Sequence, residues 1–406
     1  MPRIAVAGAG PAGIMAALAA HEKGAHAVIY DAAVPLATIL RTGGGRCNLT
    51  NAGAEDANLA LHYPRGGRFL LTAFSRFGPT ETMEWFRFRG LPLVEEEEGK
   101  VFPRSGKAQD VRNMLQEQAR TACVKMSAHQ PITSIAPTPK GFQVTTERGE
   151  ALFDRVIIAT GGDWRNPRGS GYDLAMSLGH TVTPLAPALT GFASAESWPA
   201  RLAGVSIPQA RLQAHPTGMR ALRETGGLVF THRGISGPVV FRISSRCAFL
   251  PFSSRAPLHL WLSVLEERDK QAIEGRLIAA LRERPRQQIL SVLCGLMPRR
   301  LAQTTLDLAG VATATSASGI TRVQRKALVD LMDRLPLTIV DRDKGDEMVT
   351  AGGVDLAEVD PRSMESRIVP GVFFCGELLD VDGFTGGFNL QAAWSTGRIA
   401  GLAAAD

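Results

Sequence analysis

An α/β fold on a parallel sheet, interrupted by a β-rich and then a helical segment, is what this sequence predicts, on three observations. The chain opens with a short apolar strand (R-I-A-V-A at 3–7), a glycine turn and an alanine-rich helix. A second apolar run, R-V-I-I-A-T-G-G, ends in its own glycine turn at 162, and a third, G-V-F-F-C, covers 371–375. Strands that are apolar throughout belong to sheets covered on both faces.

Taken in order, 3–7 forms the first strand, 12–23 a helix, and 26–30 (H-A-V-I-Y) a second strand, a compact βαβ start. Helical periodicity over 68–90 would place Phe69, Leu70, Phe74, Phe77, Trp85 and Phe86 on one buried side. A helix follows at about 107–121, and 131–159 alternates β-rich runs with turns. From 186 the prolines at 184, 187, 199, 208 and 216 punctuate short β-like segments, including P-L-H-L-W-L-S-V at 257–264. Residues 266–334 read as helical. After the strand at 371–375, a glycine-rich turn feeds a helix over about 389–404. The expected organisation is a first α/β part at 1–185, a β-rich insert at 186–265 with a return strand at 335–346, a helical insert at 266–334, and the second α/β part at 347–406.

The bulk properties bound the function. With 406 residues the chain is long enough for two or three domains. A net charge of +6 is too small an excess to establish nucleic-acid binding, but it suits an anionic cofactor or partner. Five scattered cysteines (47, 123, 247, 294 and 375) show no metal-type spacing and no even pairing, so neither a metal site nor a disulfide framework is expected. The apolar run from Ile4 to Ala20 imitates a secretory segment, but Gly8, Gly10, Pro11 and Gly13 break it. No other run reaches the roughly 20 residues of a membrane span. A cytoplasmic enzyme is expected; nothing in the sequence sets its oligomeric state.

The chemistry starts at Gly8-Ala9-Gly10-Pro11-Ala12-Gly13. Glycines at this spacing, between strand and helix, let the backbone approach a pyrophosphate seated at the positive helix N-terminus. Asp31 closes the second strand about 20 residues on, placed to accept hydrogen bonds from an adenosine ribose. This is a Rossmann-like dinucleotide-binding start, and alone it does not separate NAD from FAD. Three further features favour FAD. Thr160 and Gly161 end a strand in the manner of flavoprotein sheets. Gly376 and Glu377 resemble the glycine–acid pair that contacts a ribityl chain. The turn into the last helix, through Gly387, Phe388, Asn389 and Leu390, presents a helix N-terminus that stabilises negative charge on a reduced flavin.

The most distinctive segment runs from Arg41 through Gly43, Gly44, Gly45, Arg46, Cys47, Asn48 and Leu49 to Asn51. Its glycines leave amides free, and Arg46 and Asn48 offer donors to phosphates or a flavin edge. Asn48-Leu49-Thr50 also spells a glycosylation sequon, which a cytosolic cofactor loop would not use.

With these blocks in order, the sequence resembles the BaiN/RdsA (YhiN-like) FAD-dependent flavoproteins over nearly its whole length. The likeness rests on the opening glycine turn, G-G-G-R-C-N-L-T-N at 43–51, A-T-G-G at 159–162, L-V-F-T-H-R-G-I-S-G-P at 228–238, T-A-G-G-V at 350–354, and G-E-L-L-D-V-D-G-F-T-G-G-F-N-L-Q-A-A-W at 376–394. It implies a small barrel-like domain inserted in the FAD domain, with a helical domain nested inside it. It implies FAD contacts at the residues named above and at Ala12, Arg41 and Ile132. One departure is local: the stretch after Gly162, through Arg168 to Tyr172, is shorter than the family's usual glycine-rich turn.

Catalytic side chains are less defined. Cys47 is either a proton donor or redox partner beside the cofactor or, the preferred reading, a packed thiol. His232 and Arg233, in a turn bounded by Gly234 and Gly237, face either a substrate or solvent. From Arg276 to Lys326 nine basic residues meet only Glu283 and Asp307. Such a run is either a solvated helical face or a phosphate-tracking surface, and it lacks aromatic residues for base stacking. The resemblance implies an NAD(P)H-linked reductase of an unsaturated ring, with a uridine in ribosomal RNA as the leading acceptor and NAD(P)H as a transient small-molecule electron donor. A small-amine oxidase using oxygen is the alternative, and a non-catalytic FAD-binding protein a third.

Overall fold

The computed structural model describes residues 1–53, 56–165, 170–265, 269–343 and 349–406. The chain forms two compact units, one of Met1–Pro187 with Val349–Asp406, the other of Ala188–Met348. The junctions drawn from sequence at 265/266 and 346/347 fall on residues outside the described ones, as does Arg168.

The first unit is built on a five-stranded parallel sheet in the order 372–374, 155–158, 3–7, 26–30, 125–127. The first strand is therefore central, flanked by one strand that follows it directly and one that arrives about 150 residues later. Its residues Ile4–Ala7 are buried, as are Val156–Ile158 and Val372–Phe374, which explains their unbroken apolar reading. The helix Pro11–Glu22 is buried from Ala12 to Ala20 on every side. A helix apolar all round needs cover on both faces. The sheet gives one cover and the last helix, Phe388–Ala405, the other.

That second contact depends on missing side chains. A Cβ on Gly397 would lie 2.3 Å from the Ala12 carbonyl oxygen, and one on Gly401 would lie 2.0 Å from that of Ala16. The two glycines, four apart on one face, let the helix backbones touch.

The helical run expected over 68–90 is two helices, Gly67–Phe74 and Pro79–Phe88. Gly78 and Pro79 break it, because proline supplies no N–H and is favoured only at a helix start. Leu70, Phe74, Phe77, Trp85 and Phe86 are buried, while Phe69 is only partly covered and Phe88 is exposed.

The second unit holds a closed six-stranded barrel in the order 192–194, 234–236, 222–230, 206–214, 258–263, 335–342. Helices Lys270–Glu283, Ile289–Leu293, Arg299–Leu308 and Arg322–Asp333 leave the barrel after 258–263 and return the chain to 335–342. They share one core with it: Leu260, Leu262 and Leu337 belong to the same apolar cluster as Ile273, Leu301 and Leu328. Among the described residues no helix is long and apolar enough to cross a membrane.

Candidate cofactor site

The opening turn divides its glycines by role. Gly8, at φ +103°, would bring a Cβ to 2.4 Å from the Ala159 oxygen, and a Cβ on Gly13 would sit 1.9 Å from the Gly8 oxygen. Those two close the strand–helix–strand packing. Gly10 differs. Its φ of −79° suits any residue, and a Cβ there would meet only Thr38 Oγ1, at 4.0 Å. Its side faces open space, next to Pro11 at the first turn of the helix. A pyrophosphate fits that space, and Gly10 with the amides after it would hold the phosphates.

Asp31 is fixed beside this turn. One carboxylate oxygen accepts the Ala9 N–H at 2.6 Å and the other the Ala33 N–H at 2.7 Å. Each oxygen retains a lone pair for a ribose hydroxyl. The Asp31 carbonyl accepts from Gln130 N–H at 2.8 Å, which brings Ile132, at the start of the strand Ile132–Thr138, to the same end of the sheet. Gly161, at φ +79°, also has no atom within 4 Å of an added Cβ, while Thr160 Oγ1 packs against Gly171.

The glycine-rich loop is a turn of left-handed residues: Gly43, Gly44 and Gly45 stand at φ +55°, +66° and +84°. Side chains on Gly44 and Gly45 would project into open space, next to Arg41, whereas one on Gly43 would strike Asn48 N. Arg46 is already engaged: its guanidinium lies 4.1 Å from the Phe102 ring centre and is paired with Glu96. The Asn48 side-chain carbonyl accepts from Val101 N–H at 3.2 Å. Cys47 is fully buried, and burial pushes its thiol up to about 12. A thiol so held is neither a thiolate nor a ready proton donor near neutrality.

This loop is joined to the start of the last helix, some 340 residues on. Gly387, at φ +96°, has no room for a Cβ against the Thr50 carbonyl. Asn51 Nδ2 donates to the Gly386 oxygen at 3.2 Å, and Trp394 Nε1 donates to the Leu49 oxygen at 3.0 Å. Gln391 accepts from Thr50 Oγ1 and donates to Phe77 O and Thr82 Oγ1. Asn389 clasps Gly383 through both its amide atoms, at 2.7 and 2.8 Å, and Leu390 lies half-buried after it. Phe388 stacks on His62 at 4.2 Å, and its carbonyl accepts from Tyr63 OH at 2.6 Å. Gln391, Trp394, His62 and Tyr63 were not singled out from sequence. The signal was present for Gln391, an amide set in the apolar run from Leu390 to Trp394.

Glu377 follows Gly376 and accepts the Thr350 N–H at 2.7 Å. Burial, opposed by that bond and helped by the charge of Asp382, raises its carboxyl from 4.5 to about 8. The side chain is thus a neutral acid at pH 7, able to stand near phosphates without repulsion. Asp382 itself is buried and paired with Arg65. An acid protonated in the folded state but free to ionise when unfolded costs nothing below pH 4.5 and opposes folding progressively up to about pH 8. Glu377→Gln should therefore leave the melting temperature unchanged at pH 4 and raise it above wild type at pH 8. Parallel melting curves across that range would refute the assignment.

His232 and Arg233 lie in the barrel unit, exposed, on a cleft of about 700 Å³ that Glu196, Phe252 and Asp341 also line. Arg233 is held by Asp343 at 2.8 Å. The candidate cofactor residues above all lie in the other unit. Among the described residues no group of His, Cys, Asp and Glu could hold a metal ion.

Comparison with known proteins follows the same outline. The family model described as HI0933-like protein Rossmann domain matches residues 2–403. The 3-dehydro-bile acid delta(4,6)-reductase of Clostridium scindens is 33% identical, covering 100% of both chains. The ribosomal RNA dihydrouridine synthase of Escherichia coli is 30% identical, over 96% of this chain and 95% of that one. Among solved structures, the 3-ketosteroid-delta4-(5alpha)-dehydrogenase of Rhodococcus jostii superposes with a TM-score of 0.53 at 14% identity, covering 99% and 96%, a likeness of fold alone. The chain belongs to the HI0933-like Rossmann-domain family and is an FAD-dependent oxidoreductase.

Proposed function

We propose that this enzyme saturates a ring double bond, with a uridine of ribosomal RNA as acceptor and NAD(P)H as a transient electron donor. The observation that carries the reaction type is that two full-length relatives, one named for a bile-acid reductase and one for dihydrouridine formation, both remove unsaturation from a ring. Bound FAD supplies the hydride transfer. The residues described above would seat it: the Gly10 turn the pyrophosphate, Asp31 the ribose, and the start of the helix at Gly387 the electron-rich edge of the ring system. The His62 ring, stacked on Phe388, stands at that corner.

The choice of RNA is supported by a cationic surface. Arg282, Arg284 and Arg286 are all exposed, and their neighbours from Glu283 to Gln288 are exposed with them. Among the described residues Glu283 reaches only Arg284, at 3.7 Å. Exposed pairs of this kind stabilise little, so the arginines remain available to phosphates. Reversing all three to Glu should weaken binding of protein-free ribosomal RNA at least about tenfold at moderate salt and flatten its salt dependence. FAD content should not change. Uptake of oxygen with small amines, in the absence of NAD(P)H and of any salt-sensitive RNA binding, would instead identify an amine oxidase. RNA indifference with NAD(P)H-dependent reduction of an unsaturated 3-oxo steroid would leave the ring reductase and replace its substrate.

A further inference from the structure

The barrel carries a large aromatic residue on its outer wall. In the strand Leu258–Ser263, Leu258, Leu260 and Leu262 point inward and are buried, while His259 and Trp261 alternate outward. Trp261 stands opposite Gln213 on one neighbouring strand and Pro336 on the other, and Gln213 stands opposite Arg223. One row across four strands thus reads Arg223, Gln213, Trp261, Pro336, about 15 Å wide at ordinary strand spacing. His215 meets the Trp261 ring edge-to-face at 4.9 Å, and the Arg334 guanidinium lies 4.9 Å from its centre. Arg220 and Arg223 are exposed on the hairpin that carries His215.

Among the described residues the acidic groups beside this row are tied down. Asp333 is held by Arg211 at 3.5 Å. Glu224, next to Arg223, faces the other way and binds Arg242 and Arg246 at 3.3 and 3.1 Å. A partly exposed tryptophan flanked by histidine and arginine therefore sits on a positive wall, outside the barrel core. The basic helical stretch has arginines and no aromatic ring; this wall has the ring. The last of those helices ends at Asp333, one residue before Arg334, and its Met332 carbonyl accepts from Val264 N–H at 3.2 Å, just beyond Trp261.

We propose that the outer barrel wall around Trp261 is a stacking platform for single-stranded RNA. An unpaired base stacks on the indole and on the Arg334 guanidinium that stands over it, with His215 at the ring's edge, while Arg220 and Arg223 follow the backbone phosphates. Single strands are specified because a duplex hides its base faces. The proposal rests on the RNA reading above and adds the place and the mode of contact.

The test uses FAD-loaded full-length enzyme and a short fluorescein-labelled oligouridylate, followed by anisotropy against salt. Trp261→Ala should weaken binding about fivefold to a hundredfold, the range for loss of one stacked base, without changing the salt slope. Trp261→Phe should recover most of the affinity. Arg220→Ala with Arg223→Ala should instead flatten the slope by about 1.4. Because Trp261 is outside the core, flavin content and melting temperature should stay at wild-type values in all three. If wild type binds the oligomer and Trp261→Ala binds it equally well, the platform is refuted and the RNA reading survives. If wild type binds only structured ribosomal RNA, the single-strand mode is refuted. If it binds no RNA at all, both fall. A concentration-dependent dimer lost on Trp261→Ala, with RNA binding intact, would reassign the wall to self-association.

Discussion

Gly10→Val is expected to purify as a folded but colourless protein. The Gly10 backbone has a φ that valine adopts freely, and the space around its Cβ is empty out to Thr38 Oγ1 at 4.0 Å. A Cβ there therefore clashes with nothing in the protein, and the valine branches stand where phosphates would enter the turn. The wild type should be yellow and release FAD, not FMN, on heating. The variant should carry less than about a tenth of that flavin. Its melting temperature should match that of wild type stripped of flavin, because a ligand at a hundred times its Kd contributes about 2.7 kcal/mol and only that is lost. Full flavin occupancy in Gly10→Val would place the phosphates elsewhere. Gly8→Ala provides the contrast: its Cβ would strike the Ala159 oxygen, so it should lose the fold along with the cofactor.

Gly397→Val should produce the opposite pattern, a protein that fails as a structure before it fails as a flavoprotein. Its added Cβ would lie 2.3 Å from a backbone oxygen of the buried helix, and backbone cannot swing aside as a side chain does. Overpacking ordinarily costs 1–3 kcal/mol, about 3 at the upper end, and this contact belongs there or beyond. Urea denaturation should show a midpoint lowered by about 1 M or more, given slopes of about 1–3 kcal/mol/M. A variant with the wild-type midpoint would mean the two helices do not cross so closely.

These two glycines also mark what the sequence made legible. Gly10 was legible because strand, turn and helix are contiguous, and local spacing carries the message. Gly397 was not, although its spacing to Gly401 was visible, because its partner is Ala12, 385 positions away in the chain, and periodicity does not name partners. The same holds for Arg46 and Asn48. Their donor chemistry could be read, but not that Glu96 and Val101 engage those side chains within the protein. The parallel sheet was legible from strands apolar at every position; the strand order was not, since it depends on returns from residues 155 and 372. The β-rich insert was expected from its turn signals, and that it forms a barrel only from the family likeness. Trp261 passed unnoticed because alternation looks the same from either face until one face is closed.

The placement of the last helix has a consequence in time. During synthesis the helix Pro11–Glu22 emerges long before the residues that cover its outer side, Gly397 and Gly401. At about 5–20 residues per second the interval is roughly 20–70 s. Through that interval a helix apolar on every side has no complete shelter, while the barrel segment, continuous in the chain, can already close. A ribosome that stops before residue 388 would thus release a finished barrel attached to an unfinished, sticky half-domain. The yellow colour of the enzyme should appear only after the helix Phe388–Ala405 has emerged, and chaperone dependence should track the helix Pro11–Glu22 more than the inserted 150 or so residues.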